Sequence, residues 1–438
     1  MRCRLAVCLG WGLWLALSSC LLAAEPSYKL SVVTDPPEAI YAVGQPAKFL
    51  VTLKQGDQPV ADAEVVCRID KDGMPPVTQK KLKLDKGTAT IEGTLGEPGF
   101  LRCQVIFAGQ GKQPLTAVAG AGFDPLKIPP SLPVPEDFDA FWTQQKARLA
   151  AVPMQPNLTP VKSPMDGIEC FDAEIPCVPP RPVSGYFARP AGAAPKRLPA
   201  ILLVHGAGVR SSSLGGAAGS AKRFNALAMD INAHGIANGK PNAFYLDLTA
   251  GELKGYPAAG REDREKCYFL VMFLRLARAM DFLTSQPEWD GKVLIVKGSS
   301  QGGGQAIAAA GLDPRVTLIS AGVPAICDHT GKAVGRINGW PKLVPDKDGK
   351  PDPKVLQVAR YFDGMNFAAR AKAEEIFSVG FIDATCAPTS VYAAYNNLPG
   401  KKQIVNEPLM GHSGSPKLER ATEAAIIQHI GTRKIPPK

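Results

Sequence analysis

The sequence predicts a doubly wound α/β domain with a mostly parallel sheet, preceded by a small all-β sandwich of immunoglobulin-like type. Three observations predict it. From about residue 161 onward, strand-type apolar runs alternate with helix formers. Residues 27–124 instead alternate apolar and polar positions in short runs broken by turn residues. Between a strand and a helix of the first kind stands Gly298-Ser299-Ser300-Gln301-Gly302, a Gly-x-Ser-x-Gly turn.

Taken from the N-terminus, Met1-Arg2-Cys3-Arg4 is a basic start, residues 5–17 are apolar, and Ala23-Ala24 offers small residues for cleavage before Glu25. Residues 1–24 are therefore expected to be a signal peptide, which implies a secreted or periplasmic product. Leu17-Ser18-Ser19-Cys20 resembles a bacterial lipobox and gives the less favoured alternative of a lipid anchor at Cys20. No later segment has 18 unbroken apolar residues, so no membrane span is expected.

The sandwich is assigned to residues 25–126. Its strands include 47–53, 64–69 and 88–92, separated by turns such as Gln55-Gly56-Asp57, Asp72-Gly73 and Glu97-Pro98-Gly99. Cys67 and Cys103 both lie in strand-like runs. A bridge between them would close a loop of about 36 residues and stabilise the unit by about 4 kcal/mol; two separate buried thiols are the alternative. Residues 127–160 form a Pro-rich linker (Pro129-Pro130-Ser131-Leu132-Pro133-Val134-Pro135) and a helix with Phe138, Phe141, Trp142 and Leu149 along one side.

Residues 161–438 carry the α/β domain. Eight strands are expected at 167–176, 182–188, 200–205, 226–232, 293–298, 315–321, 376–382 and 402–407, with helices near 215–224, 263–286, 301–311 and 417–431. The segment from Cys327 to Arg370, holding Trp340 and Tyr361-Phe362, is expected to form a lid or pocket wall.

Composition narrows the function. The 438 residues are 45% hydrophobic and 21% charged, ordinary for a globular protein. The net charge of +10 is spread along the chain rather than gathered in a run, which argues against nucleic-acid binding. No two of the ten cysteines have C-x-x-C spacing, so neither a zinc site nor a redox motif is expected.

The chemistry gathers around Ser300. The run Lys292-Val293-Leu294-Ile295 precedes the turn and Gln305-Ala306-Ile307-Ala308-Ala309-Ala310 follows it, the setting in which a serine is lifted out of a sheet as a nucleophile. A hydroxyl needs a base, oriented in turn by an acid. In an α/β-hydrolase these follow in the order Ser, Asp or Glu, His, and eight strands with the elbow after the fifth match that fold. Of the five histidines, His412 sits between the last strand and the last helix, where the base belongs; His429 lies within the final helix and reads as structural. Asp383 ends the seventh strand and is the expected acid, with Asp328 the runner-up and Asp313 a turn residue. The oxyanion is expected to meet the backbone N–H of Gln301 and of Ala207, in the loop His205-Gly206-Ala207-Gly208; each such donor contributes on the order of 10² to 10³ in rate. His205 is read as orienting that loop. No metal or organic cofactor is called for.

The chain resembles the acetyl xylan esterase family (carbohydrate esterase family seven, with the cephalosporin C deacetylases) over roughly residues 130–435. The likeness rests on Gly298-Ser299-Ser300-Gln301-Gly302-Gly303-Gly304, Gln286-Pro287-Glu288-Trp289-Asp290-Gly291, Gly311-Leu312-Asp313-Pro314-Arg315-Val316, and Gly380-Phe381-Ile382-Asp383-Ala384-Thr385-Cys386-Ala387-Pro388 followed by Ala394-Tyr395-Asn396. It implies that a Ser300–His412–Asp383 triad removes acetyl groups from acetylated oligo- or polysaccharides. Three positions depart from the family pattern. Its Arg-Gly-Gln after the fourth strand is replaced here by Met229-Asp230-Ile231-Asn232-Ala233-His234-Gly235, its His-Glu is His412-Ser413, and the Tyr after His-Gly is Ala207. These departures bear on substrate fit and on the family's ring-shaped homo-oligomer. Another secreted hydrolase of the same fold (a peptidase or a dienelactone-hydrolase-like enzyme) is one alternative. A noncatalytic carbohydrate-binding protein is another, and the ordered Ser, Asp and His argue against it.

Overall fold

The computed structural model describes residues 27–109 and 113–433, so the expected leader, with Cys20, lies outside the described residues. The described residues between 28 and 123 form two facing sheets. In one, Ala47–Gln55 pairs antiparallel with Tyr28–Asp35, Gln58–Pro59 and Thr88–Gly93. The other runs in the order Ile40–Tyr41, Leu115–Phe123, Gly99–Phe107, Glu64–Lys71, Thr78–Lys83. The period of two puts Ala47, Phe49, Val51 and Leu53 inward, against Cys67, Ile69, Cys103 and Val105 of the opposite sheet. Cys67 pairs with Val105 and Cys103 with Ile69, so the two cysteines are diagonal neighbours. They are free thiols, like the other described cysteines, and burial pushes the Cys67 thiol up to about 11.

The main sheet has nine strands, numbered in chain order: β1 (Asn157–Val161), β2 (Ile168–Ile175), β3 (Val183–Pro190), β4 (Leu198–Val204), β5 (Leu227–Ile231), β6 (Trp289–Ser299), β7 (Leu318–Gly322), β8 (Glu374–Gly380) and β9 (Lys402–Glu407). Their spatial order is β1-β2-β3-β5-β4-β6-β7-β8-β9. The first three strands join antiparallel, and everything from β5 to β9 is parallel. The expected count of eight is thus corrected by one. The additional strand is β1, whose Pro160 lies opposite Phe171 and makes the segment read as linker. Proline lacks a ladder donor, but an edge strand tolerates that loss on its open side. The elbow consequently follows the sixth strand. Strands β5 and β7 are buried along their whole length because helices cover both faces.

Those helices are Leu214–Phe224, Tyr268–Ser285, Gln301–Leu312 and Pro416–Arg433. The helix expected over 263–286 begins only at Tyr268, and helices Asn242–Ala250 and Pro388–Asn396 are additional. The expected lid segment is a packed wall. Its helices Pro353–Ala359 and Gly364–Ala368 flank Tyr361 and Phe362, which press on the linker helix Phe138–Ala150. Phe141 stands 5.1 Å from Tyr361, Trp142 stands 5.3 Å from Phe367, and the Trp142 indole donates to the Tyr361 carbonyl at 3.1 Å.

The two-sheet unit docks where the main sheet carries its functional edge. Phe100 packs on Phe381 (4.9 Å) and Tyr392 (5.5 Å), and the Gly120 N–H donates to the Pro408 carbonyl at 3.2 Å. A Cβ on Gly120 would lie 2.6 Å from the Phe381 carbonyl oxygen, so only glycine permits this approach. At the same junction, Asp72 is buried and receives the Thr389 hydroxyl, while its Oδ1 has no partner.

Burial, helped by the nearby Asp70 charge, pushes the Asp72 carboxyl up to about 7 against downward pulls from Thr389, Arg102 and Lys71. The folded protein therefore holds a proton that the unfolded chain releases near 3.8. The resulting stability is complete below the unfolded pKa and is lost as pH rises through the folded one, by up to about 1.4 kcal/mol per pH unit in between. Asp72→Asn should flatten this fall when thermal midpoints are compared between about pH 5 and 8. An unchanged slope would show that Asp72 does not cause it.

Candidate active site

Strand β6 delivers Ser300 at φ 57° and ψ −123°, a left-handed conformation that a non-glycine residue holds only under constraint. The constraint is a set of backbone bonds. Ser300 N–H donates to Gly322 O at 2.8 Å, and Ser300 O accepts from Ala325 N–H at 2.9 Å and Gly304 N–H at 3.1 Å. Two glycines let the strands pass this close. A Cβ on Gly298 would fall 2.5 Å from Gly302 O and Val204 O, and one on Gly302 would fall 2.3 Å from Val204 O. Gly302→Ala is therefore expected to cost roughly 3 kcal/mol or more, read as a lowered denaturant midpoint, because the collision is with the backbone of Val204 and His205 at the end of β4. A midpoint equal to wild type would contradict that geometry.

Three expected side chains meet at the C-terminal edge of the sheet. His412 Nε2 lies 2.9 Å from Ser300 Oγ, and His412 Nδ1 lies 2.7 Å from Asp383 Oδ2. The other carboxylate oxygen of Asp383, a fully buried residue, accepts from the N–H groups of Thr385 (2.8 Å) and Cys386 (2.9 Å). The His412 loop is tied to β8 and β9. Ile382 N–H donates to Met410 O, Met410 N–H donates to Glu407 O, and the Ser415 hydroxyl donates to the Glu407 carboxylate. Gly380 gives that loop room, since a Cβ there would sit 2.2 Å from Met410 O. Ser300 and His412 remain partly open to solvent.

The other candidates have other partners. Asp328 is fully buried and faces Arg336 at 3.2 Å, with its pKa raised to about 6 by burial. Asp313 caps and pairs with Arg315. His429 bonds Thr317 Oγ1 at 2.9 Å. His205 lies 3.1 Å from Asp230, which also accepts from Ser213 N–H, so it ties its loop to β5. That loop runs beside the elbow. A Cβ on Gly206 would be 3.4 Å from Ser300 Cβ, bringing Ala207 and the start of the helix Gln301–Leu312 to the same edge. Asp383, Cys386 and His412 are close enough to hold a metal ion, all within 4.8 Å. Both ring nitrogens of His412 are already engaged, however, and burial first, then Asp383, keeps the Cys386 thiol well above its usual range.

Two residues that the sequence pattern did not single out as part of the site also reach it. Tyr256 contacts both Gly208 and Gln301, and His234 contacts Gly208. Tyr256 opens the short 3-10 helix Tyr256–Ala258 and His234 lies just past β5, and no spacing in the sequence marks their contact with Gly208.

With this edge assembled, the matching family model is that of acetyl xylan esterase (AXE1), and it covers residues 127–430. The chain belongs to the acetyl xylan esterase family. As a member of it, the protein is a carboxylic ester hydrolase. It is 29% identical to the acetyl esterase Axe7A of Xylanibacter ruminicola over 389 residues, 88% of this chain and 87% of that one. That alignment is longer than the family match, so the likeness extends beyond it. Among solved structures, the acetyl xylan esterase from Paenibacillus sp. R4 is 30% identical with a TM-score of 0.57, covering 69% of this esterase and 97% of that chain. Acetyl xylan esterase 1 from a Thermoanaerobacterium species gives the same TM-score of 0.57 and coverage at 24% identity and supports the fold. Among the described residues of the esterase, no helix is long and apolar enough to cross a membrane.

Proposed function

We propose that this esterase removes acetyl groups from the hydroxyls of oligo- or polysaccharides by a Ser300–His412–Asp383 triad. The observation that carries the reading is the hydrogen-bonded series from Ser300 Oγ through His412 to Asp383 at a strained elbow. Ser300 Oγ attacks the acetyl carbonyl carbon while His412 Nε2 takes its proton, and Asp383 stabilises the imidazolium. The N–H groups of Gln301 and Ala207 hold the negative oxygen of the tetrahedral intermediate. His412 then gives its proton to the leaving sugar oxygen, which departs as a hydroxyl. Water repeats the sequence on the acetyl-serine, releasing acetate and restoring Ser300. The carbohydrate substrate is supported by the family and by the named activity of its relatives.

The leader of residues 1–24 supports export, with cleavage before Glu25. Mass spectrometry of the mature N-terminus tests this, since a lipidated Cys20 would replace the soluble product with an anchored one. For the chemistry, a fluorophosphonate is expected to label Ser300, and the enzyme to release acetate from acetylated xylo-oligosaccharides. Labelling of a different residue would overturn the nucleophile. Faster turnover of long-chain acyl or peptidyl substrates would overturn the deacetylase assignment while leaving the triad intact.

A further inference from the structure

The loop of residues 206–208 is held from outside by two buried side chains that the serine mechanism does not use. The Gly208 N–H donates to the Tyr256 hydroxyl oxygen at 3.2 Å, and Tyr256 in turn donates to Gln301 Oε1 at 2.8 Å. The Gly208 carbonyl lies 3.1 Å from His234 Nε2, and His234 Nδ1 lies 2.7 Å from the Tyr268 hydroxyl. A carbonyl only accepts, so His234 carries its proton on Nε2. Burial lowers the His234 pKa to about 4, which keeps the ring neutral and leaves Nδ1 to accept from Tyr268. The bonds form two short series that meet at Gly208: Tyr268 to His234 to the Gly208 carbonyl on one side, and the Gly208 N–H to Tyr256 to Gln301 on the other, and within each series the first bond polarises the next.

The aromatic rings are packed as well as bonded. Tyr256 meets His234 edge-on at 4.6 Å and lies 4.8 Å from Tyr268. Gly208 has φ +125°, where it has no conformational preference of its own to keep it in place. Ala207 brings no polar side chain to the loop. The remaining brace is the exposed Arg210, which donates to the carbonyls of Gly206 and Ala207.

We propose that Tyr256 and His234 are positioning residues that fix the Ala207 N–H relative to the Gln301 N–H, so that one hydroxyl sets the width of the oxyanion hole. This rests on the Ser300 mechanism above. Two donors aimed at a developing charge contribute on the order of 10² to 10³ each only when held in place, so loosening one of them costs part of that factor. The ground-state ester, which carries little charge on its carbonyl oxygen, loses much less.

The test is Tyr256→Phe, which keeps the ring and removes both bonds. Its kcat on an acetylated xylo-oligosaccharide should fall by about 10- to 100-fold, with KM changed by less than about threefold. Affinity for 1,1,1-trifluoroacetone, whose hydrate and serine adduct mimic the tetrahedral intermediate, should fall by the same factor as kcat/KM. His234→Ala should lower kcat similarly, and His234→Gln, whose amide can donate to the Gly208 carbonyl, should recover most of it. A Tyr256→Phe enzyme with kcat and inhibitor affinity within about twofold of wild type would overturn the proposal, as would a fall in thermal midpoint with no change in inhibitor affinity. Activity persisting in Ser300→Ala would instead remove the mechanism on which the proposal stands, so the two failures are distinguishable.

Discussion

Ser300→Ala is expected to lower kcat by on the order of 10⁵ to 10⁶, with the folded protein otherwise intact. The substitution deletes only Oγ, which is hydrogen-bonded to His412 Nε2. The bonds that fix the elbow are made by the Ser300 backbone and survive. Alanine at φ 57° is no more strained than serine, so the thermal midpoint should stay within a few degrees of wild type. What remains is the contribution of the oxyanion donors and of substrate binding, on the order of 10³ over the uncatalysed reaction. Acetate release measured with stoichiometric protein checks this. A residual kcat above about a hundredth of wild type would mean that another group attacks the ester.

Asp383→Asn is expected to cost about 10⁴ in kcat while leaving the fold in place. Asp383 Oδ1 accepts from the N–H groups of Thr385 and Cys386, and an amide oxygen satisfies the same two donors. That anchoring turns the new NH₂ group toward His412 Nδ1, which now has to accept a hydrogen bond rather than donate one. The proton of the neutral ring is then forced onto Nε2, facing Ser300 Oγ, and the base cannot take the serine proton. Asp328→Asn is the comparison. Its carboxylate faces Arg336 rather than the histidine, so it should lower stability and leave kcat within a few-fold of wild type. Comparable kcat losses in both variants would show that the acid is not specifically Asp383.

Much of this site is legible in the sequence for local reasons. The glycines around Ser300 are there because the elbow packs Gly298 and Gly302 against each other and against the end of β4, and such contacts leave a fixed spacing in the chain. Asp383 and His412 follow strand ends, which the apolar runs mark out. Tyr256 and His234 carry no spacing that announces their contacts, which reach across 48 and 26 positions to Gly208. Strand β1 was hidden for a different reason. Pro160 is a breaker in a local reading, and only the pairing with β2 shows that it belongs to an edge strand, where a missing donor is tolerated. The cysteines teach the same lesson. Strand-like runs put Cys67 and Cys103 in sheets, but the register makes them diagonal rather than directly opposed.

By itself, the sequence determined the α/β fold class, the β-rich N-terminal part, and the order of serine, acid and histidine along the chain. These follow from periodicity and turn chemistry, which act between residues a few positions apart. The tertiary structure alone decided how that order becomes a site. It brought His412 between Ser300 and Asp383, set Phe100 and Asp72 of the two-sheet unit against the edge that carries them, and hung the loop of Gly208 between two buried rings. Each of these is a contact between distant segments, whose geometry is fixed by packing and register rather than by any residue's own preference.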